Sequence, residues 1–142
     1  CISALNAPVL SKLVESFCPA AAAALRATKY ASSAVGVYVI RKDEFAQNAR
    51  CFGAVVPQIE RRSILAISFS SLKYTGRCSD DECIVRVFMG GAMHESMLGN
   101  TDDALLAIAW NELVKVLNLR SPPKHQLLVR WPEAMPQYDV GH

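Results

Sequence analysis

Between Ala31 and Met89 the chain lays down four apolar runs rich in β-branched residues, and only from Thr101 does the apolar spacing lengthen from two residues to 3.6. Strands gathered ahead of a helix, rather than alternating with helices, define an α+β fold and argue against a doubly wound sheet. The first run, 31–41, carries Val35, Val37, Val39 and Ile40 around Tyr38. Such near-continuous apolarity predicts a central strand buried on both faces. The second run, 51–56, stops at Pro57. The third, 63–71, sets Leu65, Ile67 and Phe69 on one face, and the fourth, 83–89, closes at Gly90-Gly91. Residues 72–82, with Gly76, Ser79, Asp80 and Asp81, read as a loop. Short links between the runs predict antiparallel neighbours. A fifth strand, 125–131, ends at Pro132. The long helical passage that precedes it leaves room for a parallel return, so the expectation is a five-stranded, largely antiparallel (mixed) sheet with helices packed on one face.

The helix over 101–119 is the clearest in the chain. Thr101 can cap its free amides, and Asp102 and Asp103 suit the positive end of its dipole. Leu106, Ala109, Trp110, Leu113, Val116 and Leu117 form the predicted buried stripe. Two shorter helices come first: one opens at Pro8 after Asn6, the other at Pro19 and runs through five consecutive alanines. No repeat or linker divides the sequence, and 142 residues suit one domain.

Several function classes fall away. A net charge of +2 is too small to argue for nucleic acid or a membrane surface. Arg120, Lys124 and Arg130 cluster, but Asp102, Asp103 and Glu112 offset them. Five cysteines at irregular spacing make no disulfide framework and point to a reducing, cytoplasmic compartment. Cys18 and Cys51 sit in apolar sequence and read as core residues. Cys78 and Cys83 flank an acidic turn, and His94, His125 and His142 do not complete a metal site. No apolar run approaches the roughly 20 residues that span a bilayer. The chain starts at Cys1 without Met and stops at Gly141-His142, so an excised piece of a longer protein is expected. No G-x-G-x-x-G, phosphate-binding loop or nucleophile elbow is present.

A set of segments goes further. Cys51-Phe52-Gly53-Ala54-Val55-Val56-Pro57 and the strand Ile64 to Ser71, ending in a doubled serine, resemble the oxygen-dependent, FAD-containing protoporphyrinogen oxidases, which are amine-oxidase-like flavoproteins. Lys73-Tyr74-Thr75-Gly76-Arg77 is similar to that family's F-P-G-R turn, and Val85 to Gly91 to its R-V-F-x-G-G strand end. Arg130 to Tyr138 is similar to its R-W-P-x-A-x-P-Q-Y signature, which Gly141-His142 continues. Tyr30 to Val35 is similar to a strand opening upstream. The sequence departs at Cys51, where the family has Gly, and at Ser68, where relatives carry a larger apolar residue.

The resemblance implies a parent enzyme that oxidises protoporphyrinogen IX to protoporphyrin IX with FAD and O2 in haem biosynthesis. It implies that 1–142 is part of the substrate-binding domain of that flavoprotein, with residues 1–10 at the edge of the flavin domain. The nucleotide-binding and membrane-associated parts would lie outside the chain. The chain alone would be inactive and FAD-free, and able to pair with a second copy. Phe88, otherwise a core residue on a strand, becomes a pocket aromatic that can stack on a tetrapyrrole, with Val55 and Ser68 as further substrate contacts. Trp131 and Tyr138 either approach the flavin or pack the last strand on the 101–119 helix. Arg86 and Arg130 either meet a propionate or turn to solvent and acids such as Glu133. Two other readings stay open: another amine-oxidase-like flavoprotein such as a carotenoid desaturase, and a non-catalytic, dimerising α+β module.

Overall fold

A computed structural model describes residues 2–44 and 51–140. Cys1, His142 and the Gly141-His142 match lie outside the described residues. Helices α1 (Ala7–Val14) and α2 (Pro19–Ala27) precede strand β1 (Tyr30–Arg41). Strands β2 (Gly53–Val55) and β3 (Ala66–Phe69), the short helix α3 (Ser70–Lys73), β4 (Glu82–Gly90), α4 (Asp102–Leu117) and β5 (His125–Pro136) follow. The five strands form one sheet in the order β2-β3-β4-β1-β5, and every neighbouring pair is antiparallel. The fold is α+β. The parallel return through α4 exists only at one remove: β4 and β5 run the same way, with β1 between them.

β1 is not buried equally on its two faces. Ala34, Gly36, Tyr38 and Ile40 are buried, whereas Val35, Val37 and Val39 are partly exposed. The reason is that α4 covers only the Tyr38 face. There Ile67, Val85, Val87 and Met89 pack with Leu105, Leu106, Ala109 and Leu113. The Tyr38 hydroxyl donates to the Leu106 carbonyl at 2.7 Å, and its ring lies 5.4 Å from that of Trp110. Burial pushes the Tyr38 phenol far above its ordinary range.

Thr101 caps α4 as its sequence predicts, accepting from the Ala104 amide at 3.3 Å. The buried stripe is rotated from the expected one. Leu105 and Glu112 lie inside it and Val116 is exposed. Glu112 tolerates that position because Arg62, from the β2–β3 link, meets it at 3.1 Å and Lys115 at 3.3 Å. The helix stops where Asn118 takes a left-handed conformation.

Pro132 does not end β5. The strand is at the sheet edge, and Pro132 falls in an irregularity where the partners jump from Ser33↔Trp131 to Ala31↔Met135. There Glu133 has positive φ and its amide donates to Ser32 Oγ at 3.1 Å. The third run is shorter than expected, because Ser70 to Lys73 coil into α3 instead of continuing the strand or entering the loop. Cys18 and Cys51 are exposed, and among the described cysteines Cys83 is the buried one. Apolar neighbours in sequence did not place the first two inside, since one caps α2 and the other precedes an edge strand. α1 and α2 pack on each other and are tied by an Arg26–Glu15 ion pair of 2.8 Å. Residue 10 therefore falls within α1.

A candidate ligand cleft on the open face of the sheet

Period-two alternation sends Cys83, Val85, Val87 and Met89 of β4 to the core, and so Ile84, Arg86 and Phe88 to the opposite face. Cross-strand register carries this across the sheet. One row runs Val55, Ala66, Phe88, Val35, Val129; the next runs Gly53, Ser68, Arg86, Val37, Leu127. Both rows lie on the face away from α4.

Where β2 meets β3 and β4, this face holds an open cleft of about 370 Å³. Val55, Ser68 and Phe88, named from sequence, all line it, together with Phe52, Lys73 and Arg86. Val55 is 81% exposed at the rim, Phe88 is half-buried, and Ser68 is 6% exposed at the floor. Gly53 lets β2 close over this floor. A Cβ there would stand 2.3 Å from the Ile67 carbonyl oxygen.

The polar groups of the cleft are unusual. The Arg86 guanidinium lies 5.6 Å from the Phe88 ring centroid. Among the described residues its Nε is buried without a hydrogen-bond partner, and so is Ser68 Oγ. Ser68 and Arg86 face each other in register across β3 and β4. Each unpaired buried group costs about 1–3 kcal/mol. Among the described residues that line the cleft, Lys73 and Arg86 are cationic and none is acidic. The cleft can therefore hold an apolar ring system that carries an anionic group.

The other sequence-named residues lie elsewhere. Trp131 shares the open face but sits on β5, with β1 between it and β4, and is 52% exposed. It points away from α4, so it does not pack β5 on that helix; Leu128 does. Tyr138 lies beyond the end of β5 and is 78% exposed. Arg130 is neither free for a propionate nor paired with Glu133. It donates to Asp102 Oδ1 at 2.7 Å and to the Leu98 and Asn100 carbonyls at 2.6 Å each, which ties β5 to the start of α4. Lys73 is a cleft residue that sequence reasoning did not name, and Arg86, which sequence left between a propionate and solvent or an acid, lines the cleft. The available signal was that Arg86 stands two positions before Phe88 on one strand, and hence on one face.

A second cleft, of about 460 Å³, is lined by Arg61, Arg62, His94 and Met97. Its Arg62 is already held by Glu112, and the buried unpartnered polar atoms of the described residues lie outside it. Gly90 and Gly91, both with positive φ, lead into the 3-10 turn Glu95–Gly99. A dinucleotide needs the amides of a glycine-rich turn directly at a helix start, so these described residues do not form that cradle.

The family model for flavin-containing amine oxidoreductases matches residues 1–142, and the chain belongs to that family. Within it, the chain is 36% identical over 141 residues to a coproporphyrinogen III oxidase of Mycobacterium tuberculosis, covering 99% of this chain and 30% of the relative. The coproporphyrinogen III oxidase of Bacillus subtilis is 30% identical over 90 residues, 63% of this chain and 19% of that protein. The chloroplastic protoporphyrinogen oxidase of Nicotiana tabacum is 28% identical over 94 residues, 64% and 17% respectively. A crystal structure from Exiguobacterium sp. 255-15, with a provisional protoporphyrinogen oxidase name, has the same fold. Its TM-score is 0.73 at 20% identity, over 97% of this chain and 30% of that one. The chain thus spans about 30% of the length of the mycobacterial relative.

Proposed function

We propose that this chain forms part of the substrate-binding domain of an FAD-dependent porphyrinogen oxidase of haem biosynthesis. The observation that carries the reading is the cleft. Among the described residues it gathers Val55, Ser68 and Phe88 beside two cations and no acid, which suits an apolar tetrapyrrole with carboxylate side chains. Coproporphyrinogen III is the favoured substrate, because the relative similar over 99% of the chain carries that name. Protoporphyrinogen IX, the substrate first expected from sequence, is the second reading, and the tobacco relative supports it.

FAD, held mostly by segments outside these residues, would supply the redox chemistry. Val55 and Phe88 would hold the macrocycle against it. Trp131 and Tyr138, exposed on and beyond β5, would face the flavin-bearing part. The α1 end of the chain would adjoin that part too. Alone, the chain would have neither activity nor flavin. A cytoplasmic site for the parent, with membrane association only through other segments, completes the proposal.

The test is to purify the full-length protein, record its flavin absorbance and follow porphyrin fluorescence from each porphyrinogen in air. Coproporphyrin formed faster than protoporphyrin by yellow protein is the expected result. Faster protoporphyrin formation would favour the second reading, and oxidation of neither would overturn both.

A further inference from the structure

We propose that Arg86, backed by Ser68, is the anchor for a carboxylate of the ligand. The proposal rests on the porphyrinogen reading above and adds which residues read the acid group. An arginine placed mid-strand on a sheet needs an anion or water for its fork of donors. Arg86 has no ion pair or hydrogen bond among the described residues, and its Nε is buried. On the neighbouring strand, directly opposite, Ser68 Oγ is buried and equally unpartnered. Two unsatisfied polar groups side by side on a cleft floor are costly unless one shared partner meets both. A carboxylate accepts from both a guanidinium and a hydroxyl, and among the described residues no acid lines the cleft to take that place.

The position relative to Phe88 gives the anchor its use. The guanidinium already lies over that ring. A macrocycle in contact with Phe88 and Val55 would bring its peripheral propionates level with Arg86, while Lys73 adds positive charge at the edge. Apolar contact would thus select the ring system, and Arg86 its acid side chains. Coproporphyrinogen keeps propionates where protoporphyrinogen has vinyl groups, so an anchor here gives the cleft a means of telling the two apart.

The probes are coproporphyrin III and its methyl ester, titrated by fluorescence against the full-length flavoprotein, its Arg86→Gln variant and its Arg86→Lys variant. Arg86→Gln should weaken the acid on the order of tenfold and the ester by no more than about twofold. Arg86→Lys, which keeps the charge and loses the planar fork, should fall between. If Arg86→Gln fails to give soluble yellow protein, the acid-to-ester ratio of Arg86→Lys decides by the same rule. Equal losses for acid and ester, or none for either, would overturn the anchor while leaving the porphyrinogen reading standing. A wild-type protein that binds neither probe would overturn that reading and the anchor with it.

Discussion

A phenyl ring and a guanidinium stand together at the cleft, and the ring is the part with an affinity to give. Phe88→Ala in the full-length protein should raise KM for the porphyrinogen by about tenfold and leave flavin content near wild type, because the role proposed for Phe88 is contact with the macrocycle and not flavin binding. Steady-state kinetics with flavin absorbance measures both, and unchanged kinetics would remove Phe88 from the site. At this scale sequence was informative only in part. Val55, Ser68 and Phe88 came from resemblance. Spacing alone cannot tell an open-face Phe88 from a core Phe, because both faces of β4 carry apolar residues. Arg86 was left between a propionate and solvent or an acid, since a lone sequence says nothing about what stands opposite a strand residue. Ser68 on β3 decides its surroundings, and that partnership exists only once register is known.

Elements were more legible than their orientation. Thr101, Asp102 and Asp103 marked the start of α4, and the period of 3.6 marked its course. Its rotation was hidden because Leu105, Leu106, Trp110, Leu113 and Val116 form too broad an apolar arc for the sequence to choose a centre. Burial makes the choice measurable. Leu105→Ala should cost about 2–5 kcal/mol and Val116→Ala no more than about 0.5 kcal/mol in chemical denaturation. A larger effect at Val116 than at Leu105 would mean that the helix sits as the sequence alone suggests. β1 posed the same ambiguity: its valines marked a strand, yet the buried side is set by Gly36 and Tyr38. Elsewhere one carboxylate fastens the end of β1 to the α4–β5 link. Hydrogen bonds from the Ser121 side chain and amide, then the Arg120 amide, and lastly Arg41, lower the Glu44 pKa from 4.5 to about 2. A depressed folded-state pKa means that this stabilisation is full above pH 4.5 and is lost as pH falls toward about 2. Glu44→Gln should therefore lower the melting temperature at neutral pH and flatten its fall over that acid window. A parallel acid limb in both proteins would exclude Glu44 as its cause.

Across the whole molecule, α4 covers one face of the sheet and no described element covers the other to the same degree. Leu127, Trp131 and Val55 stand exposed there, with partly exposed Val35, Val37 and Phe88 between them. The isolated 142-residue chain should therefore self-associate in sedimentation or light-scattering measurements and remain colourless. A stable monomer at high concentration would mean that the face needs no cover, and yellow material would place flavin binding within these residues. The sheet order also sets a timetable. β1 lies between β4 and β5, and its pairing with β5 joins Tyr30 to Pro136 and Val39 to His125. During synthesis that flank of β1 lacks its β5 partner until His125–Pro136 leaves the ribosome. At about 5–20 residues per second the wait lasts several seconds. Closing so long a loop is slow, and an unpaired β-branched edge is a template for pairing between chains. A stop codon ahead of His125 would leave that edge without its β5 partner.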